Sequence, residues 1–353
     1  MATDRLEVRA FGAAGDGEKD DTDAVQKAVD TAADVGGTVL FEPGVYACSS
    51  LTLRSHVGLL AHPVWTYRDF GGAVLRLADA GARCLLDLTG AVGVTVNGLC
   101  LDGAGSGEGA HGIMVNKPDY GRQEDVPRIE RCRIAGFSGD GIHLGRIWCF
   151  TIRHCMVAFN GGCGVWVRGW DGFVLDNWLS GNRGAGFGAY EENAAITMTA
   201  NRIEWNARGG IIVNNGNHYN ICNNYLDRSG GPAIAVLPEG DWWGQVFSIT
   251  GNLINRSGKP DWRPLGQYES AHVVFRGARG LVFSGNTLNA GRDDAGKGDW
   301  SPSYGIVYGG LRDSVIQGNV MHNGALEQLM VDLGGHEESV VVRDNPGSIF
   351  RPS

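Results

Sequence analysis

The chain has 353 residues, a net charge of −9 and 56 glycines, roughly twice the usual share of glycine. The negative charge and the lack of a basic run argue against nucleic acid and anionic membranes as partners. No stretch approaches the roughly 18 apolar residues of a membrane span, and the start MATDRLEV lacks the features of a secretory signal. The sequence therefore predicts a cytoplasmic protein, or a secreted or periplasmic one from which a signal has been removed.

The first predicted element is a short helix near residues 21–34. In DTDAVQKAVDTAADVGG the apolar residues recur at helical spacing and so define one buried face. Asp21 or Thr22 is the expected N-cap, and Gly36 with Gly37 is the expected stop. A solenoid needs such a helix as a cap, because its first coil would otherwise expose an unpaired edge.

Three acidic residues in front of this helix raise the question of a calcium loop. Asp16, Glu18 and Asp20 lack the downstream Gly and Glu that a calcium loop requires. We therefore interpret them as acidic groups that favour the positive end of the helix.

The stretch FGAAGDGEKDDTDAVQKAVDTA is followed by GGTVLFEPGVY, which predicts a turn and a strand. Together they resemble the N-terminal signature of the pectate-lyase superfamily, which includes rhamnogalacturonase- and epimerase-like proteins. The resemblance covers residues 7 to about 60. It implies a right-handed parallel β-helix and a carbohydrate-active setting that hosts hydrolases, lyases, epimerases and fructotransferases. The signature residues are structural, so the resemblance assigns no catalytic residue.

One position recurs in ten aligned segments of the chain. The recurring residues are Leu99, Cys132, Cys155, Asn177, Asn201, Asn224, Asn252, Asn286, Asn319 and Asn345. The smallest steps, 22 to 24 residues, match one coil of a parallel β-solenoid, and most coils also carry a Gly-led strand such as GIHL or GIIV. The sequence thus predicts an all-β, single-stranded right-handed parallel β-helix of about ten coils with a short N-terminal capping helix.

We expect this β-helix to be a single domain over residues 1–353. Residues 1–45 supply the N-terminal cap and first strand, residues 46–345 the coils and residues 346–353 a C-terminal tail. The recurring asparagines have a structural explanation, because stacked amides can hydrogen-bond to each other and to the turn backbone.

The eight cysteines form no CxxC pair and lie among apolar neighbours. Their spacings match no common zinc pattern. They are interpreted as buried free thiols, which suits a reducing compartment.

A substrate groove is predicted where residues follow the Gly-led strands, because equivalent places in successive coils lie about 4.8 Å apart. The candidates for substrate binding are Arg146, Arg168, Trp170, Tyr190, Asn215, His218, Asp241 and Trp242. The candidates for catalysis are the carboxylates Asp171, Glu191, Glu192 and Glu239. Aromatic faces suit sugar rings, and charged groups supply acid, base and hydroxyl contacts. An ordinary solvated surface with salt bridges is the alternative.

Two long insertions are expected to form the walls of this groove. They are RSGKPDWRPLGQYES at residues 256–270 and AGRDDAGKGDWSPSYG at residues 290–305. Their aromatic candidates for sugar binding are Trp262, Tyr268, Trp300 and Tyr304, and their acidic candidates are Asp293, Asp294 and Asp299. A third excursion, residues 103–127, would bring Tyr120 and His111 to one end of the groove.

Paired carboxylates favour a glycoside hydrolase that cleaves a poly- or oligosaccharide by acid/base chemistry. One alternative is a polysaccharide lyase or uronate epimerase, in which Arg146 or Arg168 could act as the base. Another is a non-catalytic carbohydrate-binding solenoid. No cofactor or metal is expected, although a lyase could use calcium, and a homo-oligomer stays open.

The middle and C-terminal coils also resemble inulin fructotransferases, which use an Asp and a Glu on adjacent coils. Asp176 occupies the place of that Asp, but the residue eleven positions further on is Phe187. Fructan transfer would therefore require Glu191 or Glu192 as a substitute.

Overall fold

The computed structural model of the protein describes residues 5–259, 265–291 and 301–351. The chain divides into two compact units, unit 1 (Met1–Trp178) and unit 2 (Leu179–Ser353). In each unit the chain winds in coils of three short strands, and strands of successive coils pair in parallel to form three columns. The predicted parallel β-helix is confirmed.

Unit 1 contains a 3-10 helix (Val8–Phe11), the helix α1 (Thr22–Val35) and sixteen strands. The strands are β1 (Arg5–Glu7), β2 (Asp16–Asp20), β3 (Thr38–Leu40), β4 (Gly44–Cys48), β5 (Leu51–Thr52), β6 (Gly58–Leu60), β7 (Ala73–Leu77), β8 (Cys84–Asp87), β9 (Thr95–Asn97), β10 (Cys100–Asp102), β11 (His111–Asn116), β12 (Arg128–Glu130), β13 (Arg133–Ala135), β14 (Ile142–Arg153), β15 (Met156–Ala158) and β16 (Val165–Leu175). The first column contains β5, β8, β11 and the beginnings of β14 and β16.

The other strands start at the boundary of the two units. They are β17 (Trp178–Ser180), β18 (Ala185–Ala189), β19 (Asn193–Thr199), β20 (Arg202–Glu204), β21 (Gly209–Val213), β22 (Gly216–Cys222), β23 (Tyr225–Asp227), β24 (Ile234–Val236), β25 (Gly244–Thr250), β26 (Leu253–Asn255), β27 (Ala271–Arg276), β28 (Ala278–Ser284), β29 (Thr287–Asn289), β30 (Tyr304–Gly309), β31 (Val315–Gln317), β32 (Val320–His322), β33 (Gln328–Asp332) and β34 (Val341–Arg343). The first column of unit 2 contains β18, β21, β24, β27, β30 and β33.

Side chains alternate between the interior and the outside along each first-column strand, as the period of two requires. On β16, Val165 and Val167 are fully buried, whereas Trp166 and Arg168 are partly exposed. Outward positions of the first column are therefore as predictable as the core, and they carry the chemistry described below.

The capping helix begins and ends as predicted, but Asp21 has a different role from that of an N-cap. Its fully buried carboxylate accepts hydrogen bonds from the backbone nitrogens of Ala14 at 2.7 Å and Gly15 at 2.9 Å. It makes no side-chain bond to the helix it precedes. Asp20 instead accepts the Thr22 backbone N–H at 2.9 Å. Asp21 therefore fixes the preceding loop.

The predicted asparagine column is a continuous ladder in unit 2. The side-chain oxygens of Asn224, Asn252, Asn286, Asn319 and Asn345 each accept the backbone N–H of the preceding rung at 2.9–3.1 Å. In unit 1 the same place holds thiols: the Cys132 N–H points at the Cys155 sulfur, 3.4 Å away, and the Cys155 N–H donates to the Asn177 oxygen at 2.9 Å. The ladder satisfies buried backbone donors at every turn.

All eight cysteines are free thiols, six of them buried, as predicted. Burial raises the pKa of Cys84 and of Cys100 to about 11. The thiol form therefore dominates for both at neutral pH.

The helix α1 is amphipathic and fourteen residues long. Among the described residues, no helix has both the length and the apolarity needed to cross a membrane.

Candidate active site

The outer side of the first column in unit 1 carries a row of side chains whose chemical type differs from coil to coil. Strand pairing aligns Asp87, Met114, His143 and Trp166 at one outward position. In unit 2 the corresponding outward positions are apolar, for example Ile212 on β21. At this position unit 1 thus presents an imidazole and an indole, whereas unit 2 presents apolar side chains.

His111, Asp140 and His143 form a compact group that we call the imidazole cluster. The Nδ1 atom of His143 lies 2.9 Å from Asp140 Oδ2, and the Nδ1 atom of His111 lies 3.4 Å from the same oxygen. The other carboxylate oxygen of Asp140 accepts the backbone N–H of Cys163 at 2.6 Å. The carboxylate is thus fixed by the coil above, hydrogen-bonded to His143 and adjacent to His111.

The hydrogen bond to Asp140 sets the tautomer of His143. A carboxylate oxygen can only accept, so His143 donates from Nδ1 and keeps the lone pair on Nε2. Among the residues described in unit 1, none forms a hydrogen bond to Nε2. The side chain is about one-fifth exposed. His143 therefore has the form of a base oriented by a carboxylate.

His111 is held in the neutral form. Its Nδ1 atom accepts the backbone N–H of Asp140 at 2.9 Å. Burial, opposed by the Asp140 carboxylate, lowers the pKa of His111 to about 4. At neutral pH the ring thus keeps an unprotonated nitrogen beside Asp140.

A guanidinium group and an indole accompany the cluster on β16. Trp166 stacks on the His143 ring, with centroids 4.3 Å apart. Arg168 is the next outward residue and pairs with Gly145, two residues beyond His143. On a sheet, such diagonal neighbours lie roughly 8 Å apart at Cα, which an arginine side chain can bridge. A guanidinium group is therefore within reach of the imidazole.

Two further predicted residues of unit 1 lie in the middle of β16. Asp171 is exposed and accepts a hydrogen bond from Trp148 Nε1 at 2.9 Å. Trp170 is stacked under Tyr120 of the 103–127 excursion, with centroids 4.1 Å apart. The structure thus pairs both residues with aromatic side chains.

A buried ion pair anchors the same excursion. Lys117 Nζ lies 2.7 Å from both carboxylate oxygens of Asp125, and Asp125 also accepts the backbone N–H of Trp148 at 2.8 Å. Arg146 donates to the Lys117 carbonyl at 2.8 Å. Arg146 is thereby committed to holding the loop.

Unit 2 contains a cleft of about 540 Å³ along its first column. Its charged lining groups are Arg208, Glu239, Glu269 and Arg276, joined by Tyr190. Asn214 Nδ2 donates to the Glu239 carboxylate at 2.8 Å. The cleft thus combines two cations with two carboxylates, and it contains the predicted residues Tyr190 and Glu239.

Apolar residues form the floor beside this cleft. Val274 and Val307 pair as outward neighbours on β27 and β30, and Tyr268 and Tyr304 pack on this cluster. The two tyrosine rings contact each other at a centroid distance of 5.3 Å. Next to them a shallower depression of about 430 Å³ is lined largely by glycines, with Arg276 at its side. Tyr268 and Tyr304 therefore border a cleft but also pack against each other.

The remaining predicted residues of unit 2 lie on exposed turns. Glu191 and Glu192 follow β18, and Asp241 and Trp242 lie between β24 and β25. His218 is exposed on β22. None of these five lines the cleft.

Two predicted residues have structural bonds instead of an open position. Asn215 accepts the backbone N–H of Glu239 at 2.8 Å and so joins neighbouring coils. Asp176 lies on the ladder turn before Asn177, 3.2 Å from His154. It therefore lies on a different part of the coil from the first-column strands.

Five predicted residues lie outside the described part of the chain. They are Trp262, Asp293, Asp294, Asp299 and Trp300.

The imidazole cluster was missed because the predicted groove was aligned only beyond the ends of the strands. Alternation in GDGIHL and GVWV already indicates that His143 and Trp166 face outward. Asp140 is three residues before His143, but His111 belongs to the coil below and is brought near only by stacking.

Two family models match the chain. One, described as a right handed beta helix region, matches residues 93–241 and 188–349. The other, described as rhamnogalacturonase A/epimerase, pectate lyase-like, matches residues 6–60. The superfamily resemblance of the N-terminal signature is thereby confirmed.

Relatives and solved structures give a consistent comparison. The mannuronan C5-epimerase AlgE2 of Azotobacter vinelandii is 30% identical over 254 residues, which is 65% of this chain and 22% of that protein. The chain thus matches about a fifth of that relative's length. The A-module of the A. vinelandii mannuronan C-5 epimerase AlgE4 superposes with a TM-score of 0.69 at 19% identity, covering 99% of this chain and 100% of that one. The DFA-IIIase of Arthrobacter chlorophenolicus A6 gives a TM-score of 0.67 at 16% identity, covering 96% and 87%. These superpositions show the fold.

Proposed function

Because this chain belongs to the right-handed beta-helix family, whose stacked coils display rows of outward side chains, we propose that it modifies a polysaccharide of uronic acids. The reaction begins with removal of the proton on C5, the carbon that carries the sugar carboxylate. Return of a proton to the opposite face gives a C5 epimer, whereas loss of the substituent on C4 gives a lyase product. Both outcomes share the first step.

The observation that carries this proposal is the contact between His143 and Asp140. Their 2.9 Å hydrogen bond leaves the lone pair of His143 on Nε2, on the outer face of the β-helix. A neutral imidazole so oriented can take the C5 proton while the electron pair moves into the sugar carboxylate. The base is thus an imidazole and not the arginine that the sequence suggested for a lyase.

A cation must accompany that base, because removal of the C5 proton adds negative charge to the sugar carboxylate. Arg168 occupies the diagonal position next to His143. A guanidinium can bind a carboxylate through two parallel hydrogen bonds, and this contact gains strength as charge develops. We assign to Arg168 the binding of the carboxylate at the reacting sugar.

The similarity to mannuronan C5-epimerases supports the same class of reaction, since their name places their chemistry at C5 of a uronic acid polymer. The glycoside hydrolase predicted from the sequence has less support than this alternative. Two of its four carboxylates, Glu191 and Glu192, lie on an exposed turn outside the cleft, and Asp171 is bonded to Trp148. The proposed chemistry requires no carboxylate pair.

The cleft of unit 2 offers two arginines to an anionic polymer, beside its two carboxylates. Arg208 precedes β21 and Arg276 ends β27, two coils later. Two coils correspond to roughly 10 Å along a β-helix. We propose that these two arginines bind uronate carboxylates of the polymer substrate.

The test is exchange of the C5 proton with solvent. The protein is incubated in D₂O with polymannuronate, polyguluronate and polygalacturonate, and deuterium at C5 is followed by NMR. A lyase is distinguished by the ultraviolet absorbance of its new double bond. His143→Gln is expected to lower the exchange rate by roughly 10² to 10⁴-fold, and Arg168→Gln to lower it as well.

His154→Gln provides the matched control, because His154 is also paired with an aspartate but lies on the ladder turn, with a side chain 47% exposed. It should keep the parental rate. Exchange that persists in His143→Gln would overturn the assignment of the base. New reducing ends with neither deuterium at C5 nor the ultraviolet absorbance of a double bond would establish a hydrolase instead.

A further inference from the structure

The imidazole cluster places three atoms that commonly bind metals around one point. The Nδ1 atoms of His111 and His143 lie 3.4 Å and 2.9 Å from Asp140 Oδ2, and all the ligand atoms are within 4.8 Å of one another. Zinc bonds of 2.0–2.1 Å in a tetrahedral site separate neighbouring ligands by roughly 3.3 Å. The distances from Asp140 Oδ2 to the two Nδ1 atoms are close to that value.

We propose that His111, Asp140 and His143 bind one divalent transition-metal ion of the zinc type. Two imidazoles and one carboxylate suit zinc, cobalt or nickel, whereas calcium and magnesium require several oxygen ligands. With a water molecule as the fourth ligand, the coordination would be tetrahedral. This site is separate from the acidic segment of Asp16, Glu18 and Asp20, for which the sequence raised the question of a calcium loop.

The surroundings of the cluster hold its ligands in place. Asp140 Oδ1 accepts the Cys163 N–H at 2.6 Å, and Trp166 stacks on His143. A Cβ atom at Gly162 would lie 2.2 Å from Asp140 Oδ1, and one at Gly139 would lie 2.8 Å from His111 Nδ1. Close packing of the backbone at these glycines therefore fixes the positions of two ligands, as outer-shell contacts do in metal sites.

The His111 ring offers an unprotonated nitrogen to a metal. Its Nδ1 atom accepts the backbone N–H of Asp140, so this nitrogen carries a lone pair and no proton. Binding would exchange this hydrogen bond for a metal bond. His143 would release its Nδ1 proton to solvent and take one up on Nε2 in the same step, because a ligand nitrogen must be deprotonated and the neutral ring keeps one N–H.

This release has a consequence that rests on the proposed function. With a metal on Nδ1, the neutral His143 ring carries its proton on Nε2 and can no longer accept one there. The metal would therefore inhibit abstraction of the C5 proton. Without the metal, His143 would act as the base. With the metal bound, His143 could not accept the C5 proton.

Binding is tested on the chelator-treated full chain with Co²⁺, whose visible absorption reports coordination geometry, followed by displacement with Zn²⁺. We expect saturation at one ion per chain and an absorption typical of tetrahedral cobalt. His111→Asn and Asp140→Asn should each weaken binding by at least roughly 100-fold. His154→Gln should bind as the parent does. Circular dichroism and thermal unfolding of each variant show whether it is folded.

Inhibition is tested separately from binding. Zn²⁺ should reduce C5 exchange by the parent, and His111→Asn should raise the Zn²⁺ concentration for half inhibition, whatever its own rate. Unsaturable binding, or binding that is unchanged in both ligand variants, would overturn the metal site. Tight binding by the parent with neither C5 exchange nor a lyase product on any uronan would leave the metal site standing and refute the proposed function.

Discussion

Trp166 lies flat on His143, with ring centroids 4.3 Å apart and planes 6° from parallel. His111 covers the imidazole as well, at a centroid distance of 4.4 Å. Together with the hydrogen bond from Nδ1 to Asp140, these contacts leave the His143 ring little freedom to rotate. The direction of its Nε2 lone pair is therefore set by its neighbours.

Replacement of Trp166 should consequently affect turnover more than binding. Trp166→Ala is expected to lower kcat of C5 exchange roughly tenfold or more, because small displacements of a base cost much of its effect. Trp166→Phe keeps a flat ring and should recover most of the rate. Steady-state kinetics measure this. A rise in KM with unchanged kcat would instead identify Trp166 as a platform for sugar.

The buried carboxylate of Asp21 supports a prediction about stability. Asp21→Ala leaves the Ala14 and Gly15 N–H groups without their acceptor, and bonds to a charged group contribute about 1.5–3 kcal/mol each. We expect the free energy of unfolding in urea to fall by about 3 kcal/mol. Asp23→Ala, on the exposed first turn of α1, should cost less than 1 kcal/mol. Equal effects of the two substitutions would contradict the role of Asp21 in fixing the loop.

The asparagine ladder predicts that inner rungs contribute more than the last one. Asn252 accepts from Asn224 and donates to Asn286, whereas Asn345 is the final rung and only half-buried. Asn252→Ala should lower the free energy of unfolding by about 3 kcal/mol, since it leaves buried donors unpaired. Asn345→Ala should cost about 1 kcal/mol. Urea titrations of the two variants compare their free energies of unfolding directly. A larger loss of stability in Asn345→Ala than in Asn252→Ala would contradict the prediction.

His272 predicts a loss of stability in acid. It is fully buried, neither ring nitrogen has a partner among the described residues, and burial lowers its pKa to about 3. Below pH 6.5 the unfolded chain binds a proton that the folded chain does not. Stability should therefore fall by about 1.4 kcal/mol per pH unit between pH 6.5 and about 3.

His272→Leu tests this contribution, because it removes the titrating group at similar volume. Its free energy of unfolding should depend less steeply on pH than that of the parent, although His111 continues to contribute. His154→Leu, at an exposed ring, should retain the parental slope. If the His272→Leu slope equals the parental one, protonation of His272 does not limit stability in acid.

The sequence predicts the fold well because the residues that recur in each coil have the same structural role in every coil. Asn201 and Asn345 occupy equivalent turns, and Gly-led strands mark the first column. The site was predicted only in part, because the catalytic candidates were sought in the turns. Glu239 and Tyr190 do line a cleft. His111 was expected at one end of the groove, but its neighbours Asp140 and His143 were not identified, and Arg276 was assigned to no site, since insertions of unequal length decide which residues become neighbours.

Successive rungs of the unit 2 ladder are separated by 23, 28, 34, 33 and 26 residues, yet every rung makes the same bond at 2.9–3.1 Å. The geometry of a rung is therefore insensitive to the amount of chain between two rungs. Loops between the short strand that follows each rung, such as β23 after Asn224, and the next first-column strand could be exchanged for segments of other lengths and compositions without redesign of the core. A recognition surface for a new polymer could be grafted onto this scaffold one coil at a time.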